Sequence, residues 1–133
     1  MIVVDTSALI AIFRHEDDAR RCAQAIATDE EPLMSAASLV EASIVLRGLR
    51  QIPPKKAEQW LDDFIATAGI RIEPVTADQA RWARTAHLRF GKGTGHAAAL
   101  NHGDCFAYAL AKSSGAPLLC IGSDFRQTDI AIV

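Results

Sequence analysis

The sequence predicts an α/β fold, a three-layer α/β/α sandwich whose parallel sheet has about four to five strands. Short apolar, β-branched runs alternate with longer stretches of helical periodicity, the order that builds parallel sheets through helical crossovers. Helix boundaries carry the matching punctuation, with proline near a start and glycine after an end. There is no internal repeat, low-complexity tract or linker, so residues 1–133 are read as a single domain large enough to bury a core.

Ile2 to Val4 is a short β-branched run and is read as a buried strand. Helical stretches follow over Ser7 to Phe13 and His15 to Ala27. "PLMS", Pro32 to Ser35, is the second strand. In "SLVEASIVLRGL", Leu39, Ala42, Leu46 and Leu49 recur at helical spacing. "PPKKAEQWLDDFIATAG" opens on proline and closes at Gly69. "IRIEPV" alternates as a strand does, and Ala77 to Phe90 is helical. "GDCFAYALAKSSG" is a helix closed by Gly115, "PLLCI" a strand and "IAIV" an edge strand. Trp60 and Trp82 are expected to pack in the core, although their helices also carry groups suited to a second chain.

Half of the residues are hydrophobic and 23% are charged, ordinary usage for a folded globular chain. The apolar N-terminus lacks a basic leader and is broken by Asp5 and Arg14, so it is not read as a signal peptide. No run reaches the roughly 20 apolar residues of a membrane helix, and a soluble, cytoplasmic protein is expected. Cys22, Cys105 and Cys120 form no C-x-x-C pair and are read as buried free thiols. The formal charge of −2 argues weakly against a nucleic-acid partner. If four of the 16 acids are occupied by metal, the remaining 12 face 14 Lys and Arg, leaving +2 elsewhere.

Asp5 raises the functional question. It follows "MIVV" and precedes "TSALIAIF", and no Lys or Arg lies closer than Arg14. A carboxylate in such a run is buried, and burying it unpaired is costly. Three further acids share apolar surroundings: Glu41 in "SLVEASIVL", Asp104 before "CFAYALA", and Asp124 after "PLLCIGS". Asp5 and Asp124 each follow a strand, where sites form in open α/β sheets. Singly, each acid also has a capping explanation. Asp5 is placed to cap a helix, and Ser38 with Glu41 matches the capping-box pattern. Asp104 suits a helix N-terminus, and Asp124 suits an Asx-turn. Together they suggest one site. Carboxylates about 4 Å apart repel by about 4 kcal/mol at an effective dielectric of 20. A hard cation such as Mg²⁺ or Mn²⁺ removes that repulsion.

"VVDTSAL", "SLVEAS", "LNHGDCFAYALAK" and "LLCIGSDFRQTDI" together resemble the PIN domain, and within it the VapC ribonuclease toxins of bacterial toxin–antitoxin pairs. The resemblance runs from end to end, with the acids in the family's order; Ser123 departs from the Asn or Asp often found before the fourth acid. It implies that Asp5, Glu41, Asp104 and Asp124 are the catalytic, metal-binding set. It also implies a Mg²⁺-dependent endoribonuclease, Mn²⁺ substituting, in which metal-activated water attacks an RNA phosphodiester. A VapB-type antitoxin and a homodimer are implied as partners. Thr6 and Ser7 beside Asp5 suit supporting or phosphate contacts. Lys92, in the basic loop "RFGKGTGHAAALNHGD", is expected to contact RNA phosphates or close over them, the loop's glycines making it pliable. Asp129 is expected near the pocket's rim, or else to shape the turn into the last strand.

Competing readings are a non-catalytic PIN-like module that binds RNA or protein, a phosphorelay receiver, and a dehalogenase-type phosphatase. A receiver wants an Asp at the exit of the third strand and a Lys after a late one; "RIEPVTAD" and Ser123–Asp124 supply neither. The phosphatase wants D-x-D, and position 7 is Ser. "GKGTG" is no P-loop, and His96 and His102 fit no common zinc spacing.

Overall fold

The computed structural model describes residues 1–49 and 51–133. Four strands, β1 (Ile2–Val4), β2 (Pro32–Ser35), β3 (Arg71–Glu73) and β4 (Leu118–Leu119), form one sheet in the order β3-β2-β1-β4. Every pairing is parallel: Val3 faces both Leu33 and Leu118, and Leu33 also faces Arg71. Among the described residues six helices connect them: α1 (Thr6–Phe13), α2 (Ala19–Thr28), α3 (Ala36–Gly48), α4 (Pro54–Ala68), α5 (Ala77–Phe90) and α6 (His102–Ser114).

Strand alternation divides the core into two. Val3, Leu33 and Leu118 pack with Ala83, Ala86 and Phe90 of α5 and with Ala107 and Tyr108 of α6. Ile2, Val4, Met34 and Leu119 point the other way, into Leu9, Ile26, Leu46 and Leu61 of α1 to α4. This is the expected three-layer sandwich. The first three strands step in one direction with α1 to α4 on one face. The chain then crosses with α5 and α6 on the other face and places β4 beside β1. The order therefore reverses between β1 and β4, where open α/β sheets leave a crevice at the strands' carboxyl ends.

The local chemistry explains the boundaries. Gly69 and Gly115 end α4 and α6 in the left-handed region, at φ 68 and 65°, where glycine carries no steric penalty. Trp60 stacks on Phe64 at 5.1 Å and meets Phe13 edge-on, and Trp82 packs against the α5–α6 core. The three cysteines are buried and free. Burial pushes the Cys105 and Cys120 thiols up to about 11 and about 12, leaving them protonated.

Three expectations need correction. The helix expected from His15 begins at Ala19, because the chain turns at His15 with φ 54° after α1 ends. "IAIV" lies outside β4 as expected, but forms one parallel bridge, Leu118 to Ile132, and not a strand. Just before it, Asp129 is held by Tyr108 and Lys112. The 89–104 loop is pinned and not slack. Gly91 bridges Leu100, the Lys92 amide donates to the Leu100 carbonyl at 2.8 Å, and His96 packs edge-on against Phe90. Among the described residues no helix is long and apolar enough to cross a membrane.

Candidate active site

Asp5 is positioned by the last rung of the sheet, its amide donating to the Leu119 carbonyl at 2.9 Å. It then caps α1 in extended conformation. The residue is 4% exposed. Its Oδ2 accepts from the Ser7 amide at 3.1 Å and from the Ser7 hydroxyl at 2.6 Å. Its Oδ1 is buried without a hydrogen-bond partner. Burial drives the Asp5 pKa upward; the Ser7 bonds offset part of this, and the Glu41 charge adds to the rise. Next to it, the Thr6 hydroxyl donates to the Ser38 carbonyl at 3.0 Å, joining the start of α1 to the first turn of α3.

The Ser38–Glu41 capping box is not formed. Helix α3 starts at Ala36, with the Ser35 hydroxyl accepting from the Ala37 amide at 3.2 Å. Ser38 therefore lies within the helix, its hydroxyl buried and unpartnered. Glu41, relieved of capping, lies against Gly103 of α6, and a methyl group on Gly103 would overlap its carboxylate.

Asp104 does serve as a cap. Its amide donates to Asn101 Oδ1 at 2.9 Å and its Oδ2 accepts from the Asn101 amide at 3.0 Å, a complete capping box. Its pKa is nevertheless pushed up to about 6. Burial is the largest cause; the Asn101 amide opposes it, and the charges of Asp5, Glu41 and Asp124 reinforce it. The carboxylates that act on Asp104 are the other three of the expected set. Asp124 is exposed and opens the 3₁₀ turn Phe125–Gln127 without a side-chain capping bond, so the Asx-turn reading does not hold.

The four acids thus come from the exit of β1, the middle of α3, the first turn of α6 and the segment after β4. Among the described residues no three His, Cys, Asp or Glu side chains are drawn into a finished metal cage. Asp5, Glu41 and Asp124 stand instead within electrostatic reach of Asp104. The Asp5 Oδ1 atom lacks a partner, and the donor set is all hard oxygen, which suits Mg²⁺ or Mn²⁺.

Asp129 and Lys92 are not among the charges that act on Asp5 and Asp104. The Asp129 carboxylate accepts from the Tyr108 hydroxyl at 2.7 Å and pairs with Lys112 at 2.8 Å and Arg89 at 3.3 Å. Burial alone would raise its pKa, but the Lys112 and Tyr108 bonds outweigh it and hold the acid at about 2. Asp129 is an anchor for the C-terminal segment. Lys92 is exposed on the pinned turn, and the charges that bear most on Asp5 and Asp104 are the other acids, not Lys92. Gly103 went unread in the sequence. Its signal was a glycine, a poor helix former, one residue before an acid in a helix's first turn.

Asp104 makes a pH prediction. A carboxyl raised from 3.8 to about 6 binds its proton more tightly when folded. Its contribution to stability is complete below the unfolded pKa and is lost as pH rises through about 6. Asp5 acts in the same direction. In metal-free protein at pH 7, Asp104→Asn should therefore raise stability by about 1 kcal/mol after allowing for solvent screening, or roughly 3–5 °C in Tm. Most of the gain should be lost at pH 4. Calorimetry at both pH values checks it; an equal Tm difference at both would refute the assignment.

The chain is similar to known proteins along nearly its whole length. The family model described as PIN domain matches residues 2–131. Ribonuclease VapC28 of Mycobacterium tuberculosis is 48% identical over 129 residues, 97% of this chain and 95% of that protein. The ribonuclease VapC of Mycolicibacterium smegmatis is 47% identical over 132 residues, 99% of each chain. Among solved structures, M. tuberculosis VapC20, described as a sarcin–ricin loop cleaving toxin, superposes with a TM-score of 0.78 at 19% identity, over 100% of this chain and 98% of that one. VapBC2 of Rickettsia felis, bound to a promoter DNA fragment, gives a TM-score of 0.74 at 17% identity, over 99% and 96%. At those identities the structures speak for the fold.

Proposed function

This chain belongs to the PIN domain family, in its VapC ribonuclease branch, and from that premise we propose that it is a divalent-metal-dependent endoribonuclease acting at the β1–β4 crevice. One arrangement carries the siting: at the switch in strand order, Asp5 keeps a buried Oδ1 atom without a partner, and Glu41 lies against Gly103, beside Asp104. Asp5, Asp104 and Asp124 would hold Mg²⁺, with Mn²⁺ able to substitute, and Glu41 would join them or orient the attacking water. The bound cation would supply an acidified water and charge neutralisation at the scissile phosphate.

The chain's own residues do the rest. The sheet's last rung and Ser7 hold Asp5, and the capping box holds Asp104, so two carboxylates are fixed before substrate arrives. Such preorganisation is what positioning catalysis requires. Lys92 stands exposed on a hydrogen-bonded turn, its amine available for RNA phosphate. Asp129 anchors the segment that carries Asp124.

By kinship with its branch, the protein is the toxin of a type II toxin–antitoxin pair, with a VapB-type antitoxin, a homodimeric working state and a cytoplasmic site of action. The surface supports a protein partner. A groove of about 590 Å³ between α3 and α6 is lined by Val40, Ile44, Val45 and Phe106 as well as Glu41. Val40 and Ile44 are 59% and 57% exposed, and such apolar exposure marks contact surfaces.

Labelled RNA tests the reading. Cleavage should occur with Mg²⁺ or Mn²⁺ and stop on chelation. Binding without cleavage under either metal would favour the non-catalytic module instead.

A further inference from the structure

The Ser7 hydroxyl makes two bonds in opposite senses. It donates to Asp5 Oδ2 at 2.6 Å and accepts the Ile121 amide at 3.0 Å. Its one proton is thereby committed to the carboxylate, and its oxygen to the chain leaving β4. Asp5 Oδ2, receiving the Ser7 amide as well, is occupied by the protein, while Oδ1 is the buried oxygen without a partner. Ile121 is three residues before Asp124.

We propose that Ser7 is a positioning residue of the metal site: its hydroxyl decides which Asp5 oxygen is left for the cation and ties the Asp124 segment to Asp5. The inference rests on the metal-dependent reading above and goes beyond it by assigning the residue that sets the ligand's orientation. Without the hydroxyl, the Asp5 carboxylate keeps only backbone amides, of Ser7 and Thr6, and loses the shortest bond that fixes its rotation. The Ile121 amide loses its partner, and the two acids lose their common tether. Partners that orient a ligand typically govern affinity by 10–100-fold.

The test is Mn²⁺ binding by the metal alone, followed by electron paramagnetic resonance, in wild type, Ser7→Ala and Ser7→Thr. Ser7→Ala should weaken Mn²⁺ by about 10–100-fold, and Ser7→Thr, which keeps the hydroxyl, should restore it. In RNA cleavage at fixed Mn²⁺, Ser7→Ala should lower kcat and leave KM for RNA unchanged. Should Ser7→Ala fail to fold, Ser7→Cys keeps the volume but is a poor donor, and it carries the same expectation. Wild-type Mn²⁺ affinity in a folded Ser7→Ala or Ser7→Cys protein would overturn the assignment while leaving the metal site standing. Ser7→Thr binding as weakly as Ser7→Ala would overturn it too. Wild-type protein that fails to bind Mn²⁺ would overturn the metal reading itself, and this inference with it.

Discussion

Asp5→Asn should reduce Mg²⁺-dependent RNA cleavage by at least about a hundredfold, since even partners behind a metal ligand cost 10–100-fold when removed. The same substitution should raise the melting temperature of the metal-free protein. Asparagine keeps the carboxylate's shape and can accept the Ser7 bonds, but removes a charge that burial and Glu41 both disfavour. A change that stabilises the fold and destroys activity is the signature of a strained functional site. Mg²⁺ should stabilise wild type by mass action and the variant far less. Thermal scans with and without Mg²⁺, beside a cleavage assay, read all of this. Undiminished cleavage by Asp5→Asn would remove the acid from the mechanism.

Gly103→Ala should be as damaging, for a steric reason. Alanine favours a helix over glycine by about 1 kcal/mol, so propensity alone forecasts stabilisation. The added methyl would overlap the Glu41 carboxylate, and overpacking of this kind costs about 1–3 kcal/mol. Either Glu41 is expelled or α6 shifts with Asp104, and cleavage falls in both cases. The double variant Gly103→Ala/Glu41→Ala should recover stability by removing the obstructing group, while cleavage stays low. That non-additivity is the expected coupling of groups in contact. A Gly103→Ala protein with wild-type stability and activity would show that the contact does not constrain the site.

Much of this architecture was legible in one chain, for identifiable reasons. Pro32–Ser35 and Ala77–Phe90 have their expected bounds because burial, periodicity and capping agree there. Asp5 stood out because an acid between two apolar runs has few other uses. The register of α3 was harder. Ser35 and Ser38 are equally good caps by type, and only the end of β2 decides for Ser35. Nothing in "HEDDARR" marks the break after His15, where no glycine or proline intervenes. Asp129 stayed open between a rim acid and a residue shaping the last turn because its partners, Arg89, Tyr108 and Lys112, lie 17 to 40 residues earlier. Contacts over such separations leave no local periodicity. Gly103 escaped for the same reason, since its neighbour Glu41 is on another helix.

The stretch from Ile121 to Asp129 is fastened at both ends, to Ser7 at one and to Tyr108, Lys112 and Arg89 at the other, while Asp124 between them is open to water. A short span with fixed ends has little configurational freedom left to surrender. Asp124 therefore has little entropy left to lose on engaging a ligand, and its exposure leaves the carboxylate accessible from solvent. Three of the four acids belong to the ends or faces of regular elements, and the fourth to a short span tied down on either side.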